Sequence, residues 1–222
     1  MRVIIIGASG KMGKLSCKAI DNDKSLYLAG KAEIHEDLVK LIEKKKPHIM
    51  VDFTSPKSVM RNAKIIVAHN IHPIIGTSGL SIREINNLTK ICKIKKLGAI
   101  IAPNFSISTN LMMMFIKNAY RYYSKIGIID IHHEKKMDFP SATSLKMVSI
   151  IRKKDVSYSI PIHSLRMPGF IASHEIVLGG ISESLSIKNN IINRNAFMPG
   201  VCFACKVVSD LNGLVYGLDK LL

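Results

Sequence analysis

Tryptophan is absent from this 222-residue chain, and all aromatic residues together make up 6%. A protein that grips single-stranded nucleic acid needs aromatic platforms for base stacking, so this scarcity argues against that class. Acidic residues are also few, 16 against 32 basic ones, for a formal net charge of +16. Such a balance draws anions of every kind, including small phosphorylated and carboxylated molecules. The basic residues are scattered in short groups such as Lys44-Lys45-Lys46, Lys95-Lys96 and Arg152-Lys153-Lys154. They read as solvated faces, and no nucleic-acid partner is expected.

Long apolar runs are missing. No stretch approaches the roughly 18 residues of a membrane span, and the apolar opening at 2–6 is too short for the core of an export signal. A cytoplasmic protein without membrane association is expected. The four cysteines are Cys17, Cys92, Cys202 and Cys205; in that compartment they are not expected to form disulfides. Cys202-Phe203-Ala204-Cys205 has the spacing of redox and zinc sites, but no second pair follows it. Two small core residues are the simpler reading.

What is present is ample core material, 47% hydrophobic, arranged in alternation. Strands are expected at 2–6, 26–32, 48–53, 71–75 and 99–102, with helices at 13–22, 36–45, 59–69 and 81–93 between them. That spacing predicts a parallel sheet with helices on both faces. After Asn104 the pattern changes. One long helix is expected at 109–123, a strand at 128–133, a helix at 143–152, and antiparallel strands at 157–165 and 175–187. Residues 197–222 read as helical and as packing back on the first part. The chain therefore divides into 1–104 with 196–222, and 105–195.

Gly7-Ala8-Ser9-Gly10-Lys11-Met12-Gly13 follows the first strand and opens the first helix. Glycines there permit a tight turn and a close approach of backbone N–H groups to a pyrophosphate, which the helix N-terminus also attracts. The spacing is G-x-x-G-x-x-G, and a glycine-rich turn without ligand fits it too. Glu33 falls just past the second strand, where an acid can accept from the adenine ribose; an ordinary solvated loop acid is the alternative. Ile34, which follows it, is not an arginine suited to a 2′-phosphate. This favours NADH over NADPH, although Lys31 or Lys11 could substitute. Gly76-Thr77-Ser78-Gly79 and Ala102-Pro103-Asn104-Phe105 also fall at strand ends, where such sheets bind ligands.

His132-His133-Glu134-Lys135-Lys136-Met137-Asp138-Phe139-Pro140-Ser141-Ala142-Thr143 concentrates acid–base and anion-binding groups. Adjacent residues at a strand end point to opposite sides, so one histidine can face reacting atoms. Histidine titrates near neutrality, which suits proton donation coupled to hydride transfer. Lys136 offers a cation, and 141–143 offer hydroxyls and N–H groups at a helix start. The same residues fit a solvated strand end with Ser141 as a helix cap. A metal would need further ligands at a defined spacing, and none is evident.

Taken in order, these segments resemble the signature of the 4-hydroxy-tetrahydrodipicolinate reductase family. The resemblance includes Val51-Asp52-Phe53-Thr54 and continues through Ser164-Leu165-Arg166, His174, Arg194, Phe197 and Gly200. Its specific part is the HH-x-x-K-x-D-x-P-S block. A related amino-acid dehydrogenase would keep the glycine turn without needing that block. The resemblance implies an α/β chain: an N-terminal Rossmann-like dinucleotide-binding domain, plus an α+β domain with a mixed open sheet for substrate binding and oligomerisation. It also implies NADH- or NADPH-dependent reduction of a cyclic imine dicarboxylate in lysine and diaminopimelate synthesis, by a homotetramer whose domains close over their ligands. By likeness, His132 is the acid/base and Lys136 a second proton donor, while His133, Ala142 and Thr143 hold the substrate carboxylate with Ser141 beside them. Gly7, Ala8, Ser9, Gly10, Lys11, Met12, Glu33, Gly76, Thr77, Ser78, Ala102, Pro103, Asn104 and Phe105 hold the cofactor. Departures from the family pattern are Ala142, Ser108 and Ser173 for glycines, Asn189 for a histidine and Lys11 for an arginine. Ala142 is the strongest argument for a cofactor-binding paralogue without activity.

Overall fold

The computed structural model describes residues 1–33, 35–151 and 159–222. Ile34, on which part of the NADH expectation rests, lies outside them. So do Arg152, the expected end of a helix, and Ser157, the expected start of a strand. The described chain forms two compact units, Met1–Ile107 with Phe197–Leu222, and Ser108–Ala196.

In the first unit, strands β1 (Arg2–Ile6), β2 (Tyr27–Ala32), β3 (Ile49–Asp52), β4 (His72–Ile75) and β5 (Ala99–Ile101) alternate with helices α1 (Lys11–Asp21), α2 (Leu38–Lys45), α3 (Val59–Ala68) and α4 (Ile82–Lys95). The strands are parallel, in the order β5-β4-β3-β1-β2. Short apolar strands buried on both faces explain this arrangement. Val3 and Ile5 pack with Cys17 and Ile20 of α1 on one face, while Ile4 and Ile6 pack with Leu38, Ile42 and Ile66 on the other. Helix α4 starts where Ser81 and Glu84 form a reciprocal capping box.

The end of the chain departs from the helical expectation. Helix α7 (Met198–Val207) lies against α1, with Val201 and Cys205 in the same core. The chain then adds a sixth parallel strand, Leu214–Tyr216, beside β5; it is β10 in chain order. Gly213 and Gly217, both at positive φ, bracket this strand. Cys202 and Cys205 are free thiols, and burial pushes Cys205 well above the usual thiol range.

The second unit holds α5 (Ile107–Ala119) from Ser108 onward, β6 (Lys125–His132), α6 (Ala142–Ile151), β7 (Ile162–Arg166), β8 (Ala172–Gly180) and β9 (Glu183–Ile191). Its mixed sheet has the order β7-β6-β8-β9. One face is covered by α5 and α6 through Met112, Met113, Ile116 and Met147 against Ile126, Ile128, Ile176 and Leu178. Two expectations change here. Helix α5 ends at Ala119 and passes into a 3-10 turn at Tyr120–Tyr122. Strand β7 runs parallel to β6, with α6 as the crossover helix between them, and so runs opposite in direction to β8 on the other side of β6. The single strand expected at 175–187 is a hairpin: β8 turns at Ile181-Ser182, with Ser182 at positive φ, into antiparallel β9. Among the described residues, no helix is long and apolar enough to cross a membrane.

Candidate active site

The first group of candidate residues gathers at the carboxyl ends of the parallel strands. Gly7 has a φ of +78°, and a Cβ there would sit 2.5 Å from the Phe53 carbonyl oxygen. A Cβ on Gly13 would lie 2.1 Å from the Gly7 carbonyl oxygen. The turn and α1 therefore meet backbone to backbone. Ser9, Gly10 and Lys11 stay exposed, with Gly10 as the N-cap of α1. This is a cradle that side chains would fill, and it fits a pyrophosphate.

The neighbouring loops are tied together by Asp52, 1% exposed at the end of β3. Its Oδ1 accepts from the Thr54 N–H (2.9 Å), the Thr54 hydroxyl (2.7 Å) and the Thr77 hydroxyl (2.7 Å). Its Oδ2 accepts from Asn62 at 2.8 Å. Gly76 lies against Phe53 and Phe105, whose rings meet edge to face at 5.6 Å. The Asn104 side chain accepts from the Ser106 N–H at 2.8 Å and shapes the turn after Ala102 and Pro103. At the β2 end, the Ser9 hydroxyl donates to Glu33 Oε2 at 2.6 Å. A cavity of about 490 Å³ opens beside it, lined by Glu33, His35, Glu36, Asp37, Thr54 and Arg61 among others.

The second group belongs to the second unit. Strand β6 places Ile126, Ile128, Asp130 and His132 along its buried face, two residues apart. His133 follows the strand in a turn closed by the Lys136 N–H donating to the His133 carbonyl at 3.0 Å. Lys136 Nζ pairs with Asp138 Oδ1 at 2.7 Å, which holds the Asp138 carboxyl below its ordinary value. Ser141 caps α6: its Oγ accepts from the Ser144 N–H at 3.2 Å. At 1% exposure its hydroxyl is turned inward, toward Ser144 and His174 Nε2 (3.0 and 3.2 Å). Ala142 and Thr143 form the first turn of α6, exposed and half-buried respectively.

Asp130 has no exposed surface. It accepts from the Ser141 N–H at 2.9 Å, the Ser144 hydroxyl at 2.9 Å and Arg166 Nη1 at 2.8 Å. Burial alone would raise its carboxyl, but these donors outweigh burial and hold it well below the usual carboxylate range. Arg166 also donates to the carbonyls of Lys136 and Asp138 and stacks over Phe139, 3.9 Å from the ring centroid. It thereby braces the loop that carries Lys136. His132 lies at 6% exposure, edge to face with His174 at 5.1 Å. Burial, then the Lys136 charge, lowers its pKa from the ordinary 6.5 despite Asp130. Burial, then His132, pushes His174 down to about 4.

Sequence alone singles out neither Asp130 nor a role for Arg166 and His174. A signal for Asp130 existed: an acid two residues before His132, on an otherwise apolar strand face. Among the described residues, no group of three or more His, Cys, Asp or Glu side chains is placed to hold a metal.

A parallel, doubly wound sheet with a bare glycine turn at its carboxyl edge defines the nucleotide-binding unit of a dehydrogenase-type oxidoreductase. The comparisons narrow this. The family model described as dihydrodipicolinate reductase, N-terminus, matches residues 1–105, and its C-terminal counterpart matches 108–222. The 4-hydroxy-tetrahydrodipicolinate reductases of Legionella pneumophila (strain Paris) and Coxiella burnetii (strain RSA 493) are 43% and 40% identical, covering 100% of this chain and 99% of theirs. The dipicolinate-bound dihydrodipicolinate reductase from Paenisporosarcina sp. TG-14 superposes with a TM-score of 0.91 at 30% identity, over 100% of this chain and 99% of that one. The chain belongs to the dihydrodipicolinate reductase family, whose members are pyridine-nucleotide-dependent reductases.

Proposed function

We propose that this protein reduces 4-hydroxy-tetrahydrodipicolinate to tetrahydrodipicolinate with NADH or NADPH, in lysine and diaminopimelate synthesis. The observation that carries the reading is the buried His132, set beside Lys136 and the start of α6 in a chain that matches the reductase family from end to end. When bound, the nicotinamide supplies a hydride. The backbone at 7–12 would hold the pyrophosphate, and Glu33 would accept from the adenosine ribose. The loops at 76–78 and 102–105 would flank the rest of the nucleotide.

His132 would donate the proton that accompanies reduction, and Lys136 would be a second donor, released from Asp138 when an anionic substrate competes for it. The N–H groups of Ala142 and Thr143, with the positive end of α6 and His133, would hold a substrate carboxylate. A dicarboxylate suits this chain's excess of positive charge, and a relative binds dipicolinate. Glu33, Glu36 and Asp37 line the cavity beside Ser9 together with Arg61. That balance favours a ribose 2′-hydroxyl over a 2′-phosphate, and so NADH.

The face of the second sheet opposite α5 and α6 carries Ile129, Ile131, Val177 and Leu165, the last 45% exposed. Covering such a face with further copies supports a homotetramer, which light scattering would test. The test of activity is NADH and NADPH oxidation followed by absorbance, with substrate made in place from pyruvate and aspartate semialdehyde by a purified synthase. Turnover that requires both proteins supports the proposal. Folded protein that binds nucleotide but stays silent with both cofactors overturns it.

A further inference from the structure

A carboxylate on the buried face of a strand is costly to desolvate and persists only where donors surround it. Asp130 meets that condition with the Ser141 N–H, the Ser144 hydroxyl and Arg166. Its Oδ1 also lies 3.4 Å from Nδ1 of His132, an ion-pair distance without hydrogen-bond geometry. That nitrogen is buried and has no hydrogen-bond partner among the described residues. An ionised carboxylate can only accept, so a proton on Nδ1 is favoured facing it, and a lone pair there is not.

We infer that Asp130 is the positioning residue of His132: it keeps a proton on Nδ1, leaving Nε2 as the atom that exchanges its proton with the substrate. This rests on the reading of His132 as the proton donor. In the step, the Nε2–H bond breaks as its proton passes to the substrate. The ring is left as a neutral imidazole protonated at Nδ1, and it regains its second proton from solvent.

The surrounding groups support the assignment. Lys136 on the following loop and Arg166 on β7 are cations and oppose a charged His132, as does burial; Asp130 favours it. Asp138, the other acid of the loop, is engaged by Lys136. His174 on β8 faces the same ring and stays neutral near pH 7, because burial and His132 push it down to about 4. The single Ser144 hydroxyl proton goes to Asp130, so Ser144 accepts from Ser141 and Ser141 accepts from His174 Nε2. Asp130 thus also sets the direction of the hydrogen-bond chain behind the two rings.

The test compares full-length Asp130→Asn, Asp130→Glu and His132→Gln. With Asp130→Asn, kcat should fall roughly 100-fold at unchanged nucleotide affinity. The alkaline limb of kcat/KM should move to lower pH, because the imidazolium has lost its counter-charge. Asp130→Glu should partly restore both. A folded Asp130→Asn protein with a wild-type limb and rate overturns the inference while leaving His132 as the donor. Full turnover by His132→Gln overturns the underlying reading as well. If Asp130→Asn does not fold, the wild-type protein decides through ¹⁵N resonances of its histidines, with His132 assigned by the loss of its signals in His132→Gln. The Nδ1–H tautomer of neutral His132 supports the inference, and the Nε2–H tautomer overturns it.

Discussion

The hydroxyl of Ser9 donates to Glu33 across 2.6 Å, joining the glycine turn after β1 to the end of β2. Two loops distant in sequence thereby share one carboxylate at the ribose end of the proposed nucleotide site. We expect NADH to be preferred over NADPH in kcat/KM. Glu33→Ala should narrow that preference roughly tenfold, the scale of one lost hydrogen bond and its charge. An unchanged ratio of the two rates would remove Glu33 from cofactor selection.

His132→Gln should lower kcat by about 100-fold or more while nucleotide affinity stays put, because a proton donor acts on the step and not on cofactor binding. Equal losses in both would count against the assignment. The pH profile carries a sign. A donor works in its protonated form, so kcat/KM should fall as pH rises, with a midpoint below histidine's ordinary 6.5.

Arg166 and Asp130 form a buried pair at 2.8 Å. Arg166→Met strands a buried anion and should cost about 3 kcal/mol of stability at neutral pH, measured by urea denaturation. The Asp130 carboxyl lies below its unfolded value of 3.8, so its contribution is complete at neutral pH, begins to fade as pH drops to that value and is lost as pH falls on through the lower folded-state pKa. The gap between wild type and Arg166→Met should therefore shrink in acid. A gap independent of pH would assign the loss to packing over Phe139.

Ala142 opens α6 and is not among the residues at positive φ. The methyl group thus strains no backbone there, whatever glycine offers in relatives. Ala142→Gly should leave substrate KM unchanged or lower it, and cost at most about 1 kcal/mol of stability. A large rise in KM would show that the helix start has adapted around alanine.

Local spacing made much of this protein legible. The strand–glycine turn–helix opening, the alternation through Ile101 and the block from His132 to Thr143 are patterns that neighbouring residues impose on one another. β1 was expected at 2–6 and is Arg2–Ile6, because a run of buried branched residues admits little else. Other features depend on partners that local pattern does not name. Leu214–Tyr216 became a strand because β5 offered an unpaired edge between two glycine breaks. Residues 175–187 looked continuous because the hairpin turn at Ile181-Ser182 lacks the usual Asn-Gly signal.

The site divides in the same way. Sequence alone singled out His132, Lys136 and the glycine turn, since each residue type announces its chemistry. Only the tertiary structure brought Arg166 from β7 and His174 from β8 against the Asp130–His132 pair on β6. Strand register decided that meeting: β6 pairs with β7 on one side and β8 on the other, so residues 36 and 44 positions away in the chain became Asp130's neighbours. The carboxylate stays charged in the interior because those strands and α6 deliver their donors to one point, a condition no single segment could meet.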